Sequence, residues 1–314
     1  MRKALLLCYL GFLFFSCERK EVNQEPVGVE GYVEVLGGKI WYEVFGSGPN
    51  PAVLLLHGGP GGTSLGFEPL KEMGYDGPLI FWDQLGSGRS DALLDTTLMT
   101  IENYVDQVER LRKQLNLQDF VLYGHSWGTM LGMDYYLSYP DEVKAIIFSS
   151  PLFSTDLWIS DADTLIATLP DSVQQVIRHH EAEGSYEHPD YQEAIQLYYS
   201  LYVTRKERPK EDRSHLSLVS GANVYLYMWG PSEFTSTGTL RNYDRLEYLP
   251  TINVPVLMMT GEYDEARPNT VKYYASLVTN ANFEIIPDAA HSTLNDNKEA
   301  TLKVVREFLE KIKN

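Results

Sequence analysis

The sequence predicts an α/β fold built on a central, largely parallel sheet, with a helical segment inserted late in the chain. Three observations lead there: short apolar runs that suit strands covered on both faces, helical periods that alternate with them, and a Gly-x-Ser-x-Gly pentapeptide lying between a strand pattern and a helix pattern.

The elements follow in order. Residues 32–36 and 40–45 alternate in character around Gly37-Gly38, the pattern of a β-hairpin. Residues 52–56, 79–82, 120–123, 145–149, 256–260 and 283–286 are mostly continuous apolar runs and read as the strands of the central sheet. Ile101, Val105, Val108, Leu111 and Leu115 share one helical face behind Thr100, a candidate N-cap. Leu302, Val305, Phe308, Leu309 and Ile312 do the same near the C-terminus, and residues 129–139 continue the pentapeptide as a helix. The alternation breaks at residues 152–248, where 171–183 and 191–202 are helical and no strand pattern appears. This stretch is expected to be a helical cap set between a first core part, 31–151, and a second, 249–314.

The 314 residues are 44% hydrophobic and 12% aromatic, which suffices for a sizeable core and excludes disordered, collagen-like and coiled-coil classes. A net charge of -17, from 43 acidic against 26 basic residues, would repel a phosphate backbone and excludes a nucleic-acid partner. Arg2 and Lys3 precede an apolar run, residues 4–15, too short to span a bilayer and typical of an export signal. The run closes on Phe14-Phe15-Ser16-Cys17, which resembles a bacterial lipobox. Residues 1–17 are therefore expected to be a lipoprotein-type signal, with lipid attached at Cys17, and 18–30 a polar tether. The expected location is the bacterial cell envelope or periplasm, with the membrane reached by the lipid anchor only. Both cysteines, Cys8 and Cys17, lie in this leader, so the folded domain has none for a disulfide.

Gly124-His125-Ser126-Trp127-Gly128 has the strand-turn-helix context of a nucleophile elbow, in which the turn exposes the serine and flanking glycines let strand and helix approach. Ser126 is the candidate nucleophile. A serine hydroxyl needs a general base and a carboxylate that orients that base, following in the order Ser, Asp or Glu, His. His291, after the strand at 283–286, is the candidate base, and Asp264, after the strand at 256–260, the candidate acid, with Glu262 as its competitor. His179, His180, His188 and His215 fall in the expected cap, and His57 and His125 are expected to make local structural contacts. The loop His57-Gly58-Gly59-Pro60-Gly61-Gly62 follows a strand and offers backbone N–H groups for an oxyanion hole. Gly59 and Trp127 are assigned as the donors, Gly58 being the alternative to Gly59. A phosphate-binding loop is disfavoured, because no Lys and Ser/Thr pair follows at the required spacing. No His-Glu-x-x-His or cysteine cluster occurs, so no metal or organic cofactor is implied.

The His57-to-Gly62 loop, the segment Asp83-Gln84-Leu85-Gly86-Ser87-Gly88-Arg89-Ser90 and the elbow together resemble the proline iminopeptidases of the α/β-hydrolase superfamily. Gly230-Pro231-Ser232-Glu233-Phe234-Thr235 and Gly261-Glu262-Tyr263-Asp264-Glu265 resemble the tricorn-interacting aminopeptidase type. The resemblance implies that Glu233 and Glu265, helped by Tyr225, hold the free α-amine of a substrate; two carboxylates facing a desolvated pocket would supply charge-assisted hydrogen bonds. Trp158, Tyr227 and Trp229 either wall an apolar pocket for a proline ring or pack in the core. The expected activity is that of a serine exopeptidase releasing an N-terminal residue, proline first of all, from short peptides with a free N-terminus through an acyl-enzyme. An esterase or amidase acting on uncharged acyl substrates shares the triad without the amine anchor, and a membrane-tethered, non-catalytic binder of small ligands is the remaining alternative.

Overall fold

A computed structural model describes residues 28–207 and 216–312; the leader, Cys17 and most of the expected tether lie outside the described residues. The chain opens with the antiparallel hairpin of β1 (Val29–Val35) and β2 (Gly38–Phe45), turned at Gly37 with φ +99°. Next come β3 (Val53–Leu56), β4 (Leu79–Trp82), β5 (Phe120–His125), β6 (Val143–Ser149), β7 (Val256–Gly261) and β8 (Ala281–Ile286). They form one eight-stranded sheet in the order β1-β2-β4-β3-β5-β6-β7-β8, antiparallel at β1-β2-β4 and parallel from β4 through β8.

The continuous apolar runs have a simple cause. Leu54 and Leu56 of β3 face one core cluster and Val53 and Leu55 the other, so each side of the pleat needs an apolar residue at alternate positions. α1 (Ile101–Gln114), capped by Thr100 Oγ1, and α2 (Trp127–Ser138) supply Val108, Leu111 and Leu131 to the first cluster.

Between β6 and β7 lie α3 (Thr155–Ile166), α4 (Asp171–Glu183), α5 (Pro189–Tyr202) and α6 (Ala222–Met228), with no strand among the described residues of this stretch. α5 starts earlier than its apolar pattern because His188 accepts a capping bond from the Asp190 N–H and Pro189 takes the first helical position. Ile166, Ile177, Tyr191, Ile195, Tyr198 and Phe234 give the insertion its own small core. The chain then closes with α7 (Pro268–Ser276), α8 (Thr293–Asp296) and α9 (Lys298–Lys311), α7 joining the first core cluster and α9 the second.

A buried ion pair braces the sheet beside the glycine-rich loop. Asp83, at the end of β4, accepts from Arg89 Nε (2.7 Å), the Arg89 N–H (2.9 Å), the Ser64 N–H (2.8 Å) and Ser64 Oγ (2.7 Å). The guanidinium lies 3.2 Å above the Trp41 ring of β2. Burial opposes the carboxylate's charge, but Arg89 outweighs it and holds Asp83 below its ordinary value. Asp83→Asn is expected to lower unfolding free energy by about 3 kcal/mol in urea titrations at neutral pH, because it leaves Arg89 without its counter-charge. A depressed carboxylate stabilises above its unfolded value, near 3.9, so the gap between wild type and variant should close as the pH falls below about 4.

Candidate active site

The elbow is forced by close packing. A side chain on Gly124 would strike the Gly128 carbonyl, and one on Gly128 would strike the Leu56 carbonyl of β3, so only glycine lets β5 turn into α2 here. Ser126 between them takes φ +54° and ψ -125°, a strained conformation for an L-residue. It is pinned on both sides: its N–H donates to Ser149 O (3.1 Å), and its carbonyl accepts from the Thr129 N–H and Thr129 Oγ1, both at 2.7 Å.

The Trp127 N–H begins α2, where the first amides have no helical acceptor and the Ser126 side chain does not cap them. In the facing loop, Gly58 O accepts from the Gly62 N–H (3.2 Å) and from His57 Nδ1 (3.0 Å). Because N–H and C=O point oppositely across a trans peptide, the Gly59 N–H is turned away from both of those donors. Gly58 itself lies against the nucleophile, a Cβ there falling 3.0 Å from Ser126 Cβ.

His57 is structural, as expected. Its Nε2 accepts from the Gln84 N–H (3.0 Å), which fixes the neutral tautomer, and burial pushes its pKa down. Gln84 joins the glycine-rich loop to the elbow: its amide donates to His57 O (3.1 Å), and its side-chain carbonyl accepts from Trp127 Nε1 (2.8 Å). The sequence presented Gln84 only as one letter of a motif.

The ends of β7 and β8 bring Asp264 and His291 together. His291 Nδ1 donates to Asp264 Oδ1 at 2.8 Å, and both residues are buried. Asp264 Oδ1 also accepts from the Ala266 N–H (2.8 Å), while Oδ2 accepts from Ser150 Oγ (2.6 Å), Thr260 Oγ1 (2.9 Å) and the Gly261 N–H (3.2 Å). Burial disfavours this carboxylate, yet His291 and the surrounding donors keep its pKa low. Burial likewise disfavours the imidazolium, and the Asp264 carboxylate reverses that and raises His291 above its ordinary value. The competitor Glu262 is exposed and accepts from the Asp288 N–H. His125 packs its ring 4.8 Å from that of His291, which sets the imidazole beside the elbow.

Glu265, next to Asp264, is only 1% exposed, and neither of its carboxyl oxygens has a hydrogen-bond partner in the protein. Oε1 lies 3.9 Å from His291 Nδ1. The hydroxyls of Tyr198 and Tyr225 are also buried and unpartnered. Glu233 is held from the insertion by its N–H to Tyr199 Oη (3.2 Å) and its carbonyl to Trp158 Nε1 (2.8 Å). Burial raises the pKa of both glutamates; repulsion from Glu233 and Asp264 raises Glu265 further, and the His291 charge tempers Glu233. Two carboxyl groups and two phenols thus meet in a desolvated space beside the triad, an arrangement that favours a cation carrying several N–H donors.

Trp158 stands edge-on to His291 (5.7 Å) and so borders the site, while Trp229 packs edge-on against Trp158 (6.2 Å) in the core. Tyr227 does not. It is 40% exposed and lines an outer depression with Leu94, Leu226 and Arg241, because two residues along α6 from Tyr225 lies the opposite helix face. Tyr198, Tyr199 and Tyr202 went unassigned in the sequence, where the Tyr-rich stretch shows only helical periodicity. Among the described residues, His179, His180 and Glu183, and His180, His188 and Asp190, could each group around a metal ion. The His180 and His188 rings are stacked 4.4 Å apart at 22°, however, which keeps their lone pairs from converging, and neither group touches the triad. His215 lies outside the described residues.

A strained serine at a strand-helix turn, a buried Asp–His pair after the neighbouring strands, and a glycine-rich loop packed against the serine define a hydrolase of the serine type on an α/β-hydrolase sheet. The α/β-hydrolase fold family matches residues 51–298. A proline iminopeptidase of Heyndrickxia coagulans is 38% identical over 285 residues, covering 90% of this chain and 99% of that protein. Among solved structures, VinJ superposes with a TM-score of 0.84 at 31% identity, covering 91% of this chain and 99% of that one. The proline iminopeptidase of Mycobacterium smegmatis does so with a TM-score of 0.79 at 26% identity, covering 90% and 98%. The chain belongs to the proline iminopeptidase family of the α/β hydrolases.

A base must be neutral to accept a proton. With an uncharged aryl ester as substrate, kcat/KM is expected to fall toward acid with a midpoint above the ordinary histidine value of about 6.5, and Asp264→Asn to lose about 10^4 in kcat. A midpoint at or below that value in a pH-rate profile would contradict the assignment of His291.

Proposed function

We propose that this protein is a serine exopeptidase that releases an N-terminal residue, proline foremost, from short peptides with a free N-terminus. The observation that carries the reading is Glu265: a buried carboxyl group, one residue from Asp264, with both oxygens unpartnered and Glu233 near it. A protonated prolyl nitrogen has two N–H donors and one positive charge, which suits two carboxyl groups. The names of the relatives support proline as the residue released, and Trp158, backed by Trp229, gives its ring an apolar wall.

In this reading the ammonium is fixed between Glu233 and Glu265, with Tyr225 beside them, and the scissile carbonyl comes to rest over Ser126. Ser126 Oγ attacks the carbonyl carbon as His291 Nε2 takes its proton, and Asp264 stabilises the resulting imidazolium. The oxyanion is met by the N–H groups of Gly59 and Trp127. Collapse breaks the C–N bond, His291 returns the proton to the leaving amine, and an acyl-enzyme ester remains. Water, deprotonated by the same imidazole, repeats the sequence and frees the amino acid and the serine. Every proton is carried by His291, so the chemistry needs no group that the chain lacks.

Burial raises both glutamates and repulsion from Glu233 and Asp264 raises Glu265 further, so protons compete with a bound ammonium for the free site. Discrimination in favour of free amines should therefore weaken as the pH falls through the raised carboxyl range. The same proposal includes export and lipid attachment at Cys17, supported by the leader sequence alone; the mass of the mature N-terminus tests that part.

The central test compares proline anilide, its N-acetylated counterpart and an uncharged aryl ester, with Ser126→Ala as the inactive control. The free amine is expected to be favoured over the blocked anilide by up to about 10^4 in kcat/KM. Glu265→Gln and Glu233→Gln should each cost about 100-fold on proline anilide while changing ester hydrolysis by less than about 5-fold. Equal turnover of blocked and free anilide would replace this reading with that of a general esterase.

A further inference from the structure

The last carbonyls of α5 have no acceptor role left inside the helix, and the catalytic loops take them up. Tyr202 O accepts from the Glu265 N–H (3.2 Å) and the His291 N–H (3.1 Å), so one carbonyl of the insertion holds both loops. Val203 O accepts from the Ser292 N–H (2.8 Å), and Thr204 Oγ1 lies 2.8 Å from Ser292 Oγ. The chain then runs onto Asp296 of α8, which is 0% exposed. Its carboxylate accepts from the Arg205 N–H (3.1 Å to each oxygen), the Lys206 N–H (3.0 Å) and the Ala290 N–H (2.9 Å). Asn295 Nδ2 donates to it as well (3.2 Å) and to Lys206 O (2.8 Å).

We propose that Asp296 is a positioning residue: its carboxylate latches residues 205–206 of the insertion to the residue preceding His291, and so sets the imidazole against Ser126. The proposal rests on Ser126, Asp264 and His291 forming the triad.

The geometry asks for a carboxylate rather than for a side chain of that size. All its partners among the described residues are N–H groups, and the backbone ones come from two segments far apart in sequence. An amide in its place would turn an NH2 group toward one of those N–H donors and part the two segments. Bonds from N–H to a charged oxygen are also the stronger kind. His291 is anchored through its own N–H to Tyr202, through Ala290 to Asp296 and through its ring to Asp264, and loss of the Asp296 anchor frees its backbone on one side. Small misplacements of a catalytic group are costly in rate.

The test uses the full chain with Asp296→Asn and Thr204→Val, folding being checked by circular dichroism and urea unfolding. For Asp296→Asn, kcat is expected to fall about 10- to 100-fold on both proline anilide and the aryl ester, with KM for the anilide within about 3-fold of wild type. The acid limb of kcat/KM should also move to lower pH by about half a unit or more, since an imidazole drawn from Asp264 loses the partner that favours its charge. A merely structural residue would lower stability and leave that limb in place. Thr204→Val, which removes one strand of the same strap, should cost about 3- to 10-fold in kcat.

A folded Asp296→Asn protein with wild-type kcat and acid limb, or with only KM raised, would overturn the latch. Should that variant fail to fold, an unchanged kcat in Thr204→Val overturns it instead. Fluorophosphonate labelling separates the two levels: wild type that does not label removes the triad and the latch together, whereas labelled wild type with an unaffected Asp296→Asn removes the latch alone.

Discussion

A carboxylate cannot be buried unless its lone pairs are met, and the site is organised around meeting those of Asp264. Its donors come from the end of β6 through Ser150, from β7 through Thr260 and Gly261, from the following turn through Ala266, and from the end of β8 through His291. Those three strands are neighbours and parallel, so their carboxyl ends open on the same edge of the sheet. The elbow at the end of β5 is next in line. Strand order, not proximity in sequence, is what assembles residues 126, 150, 264 and 291.

Glu265 shows the opposite treatment one residue later. Asp264 is saturated with donors and stays charged, while Glu265 is equally buried, unpartnered and pushed toward its neutral form. Adjacent carboxyl groups with opposed environments are how a protein separates roles at one pH. The saturated group is committed to the imidazole, and the unsaturated one is left available to an incoming charge. Holding a desolvated acid without partners costs stability, and such a cost persists where binding recovers it.

Local physics explains what could be read in advance. The elbow announces itself because only glycine fits at 124 and 128, and Asp264 and His291 follow strands whose apolar runs are unbroken on account of burial on both faces. The boundaries of α4 were legible for the same reason, an amphipathic period ending at Gly184 in the left-handed region. Glu233, Glu265 and Tyr225 were reached through resemblance, since nothing in a lone glutamate distinguishes a binding group from a solvated one. Tyr198, Tyr202 and Asp296 were not reached at all. Their roles arise from the docking of α5 across loops some 60 to 90 positions away in the chain, which leaves no periodicity behind. Tyr227 failed for a related reason: composition marks an aromatic, but the helix phase decides which side it faces.

The two parts of the chain divide the chemistry between them. In the proposed mechanism the sheet and its loops supply the nucleophile, base, orienting acid and oxyanion donors, which are indifferent to what lies beyond the acyl carbon. The insertion supplies Glu233, Tyr198, Tyr225 and Trp158, which face the space where that remainder would lie. Of the two carboxyl groups proposed to hold the amine, Glu265 comes from the sheet, and its backbone is tied to the insertion through Tyr202. Selectivity can therefore change through the insertion without dismantling the triad, provided that the α5 terminus keeps its hold on the loops. At that terminus the insertion meets the core largely through backbone groups, the carbonyls of Tyr202 and Val203 and the N–H groups of Arg205 and Lys206, which do not depend on the side chains at those positions.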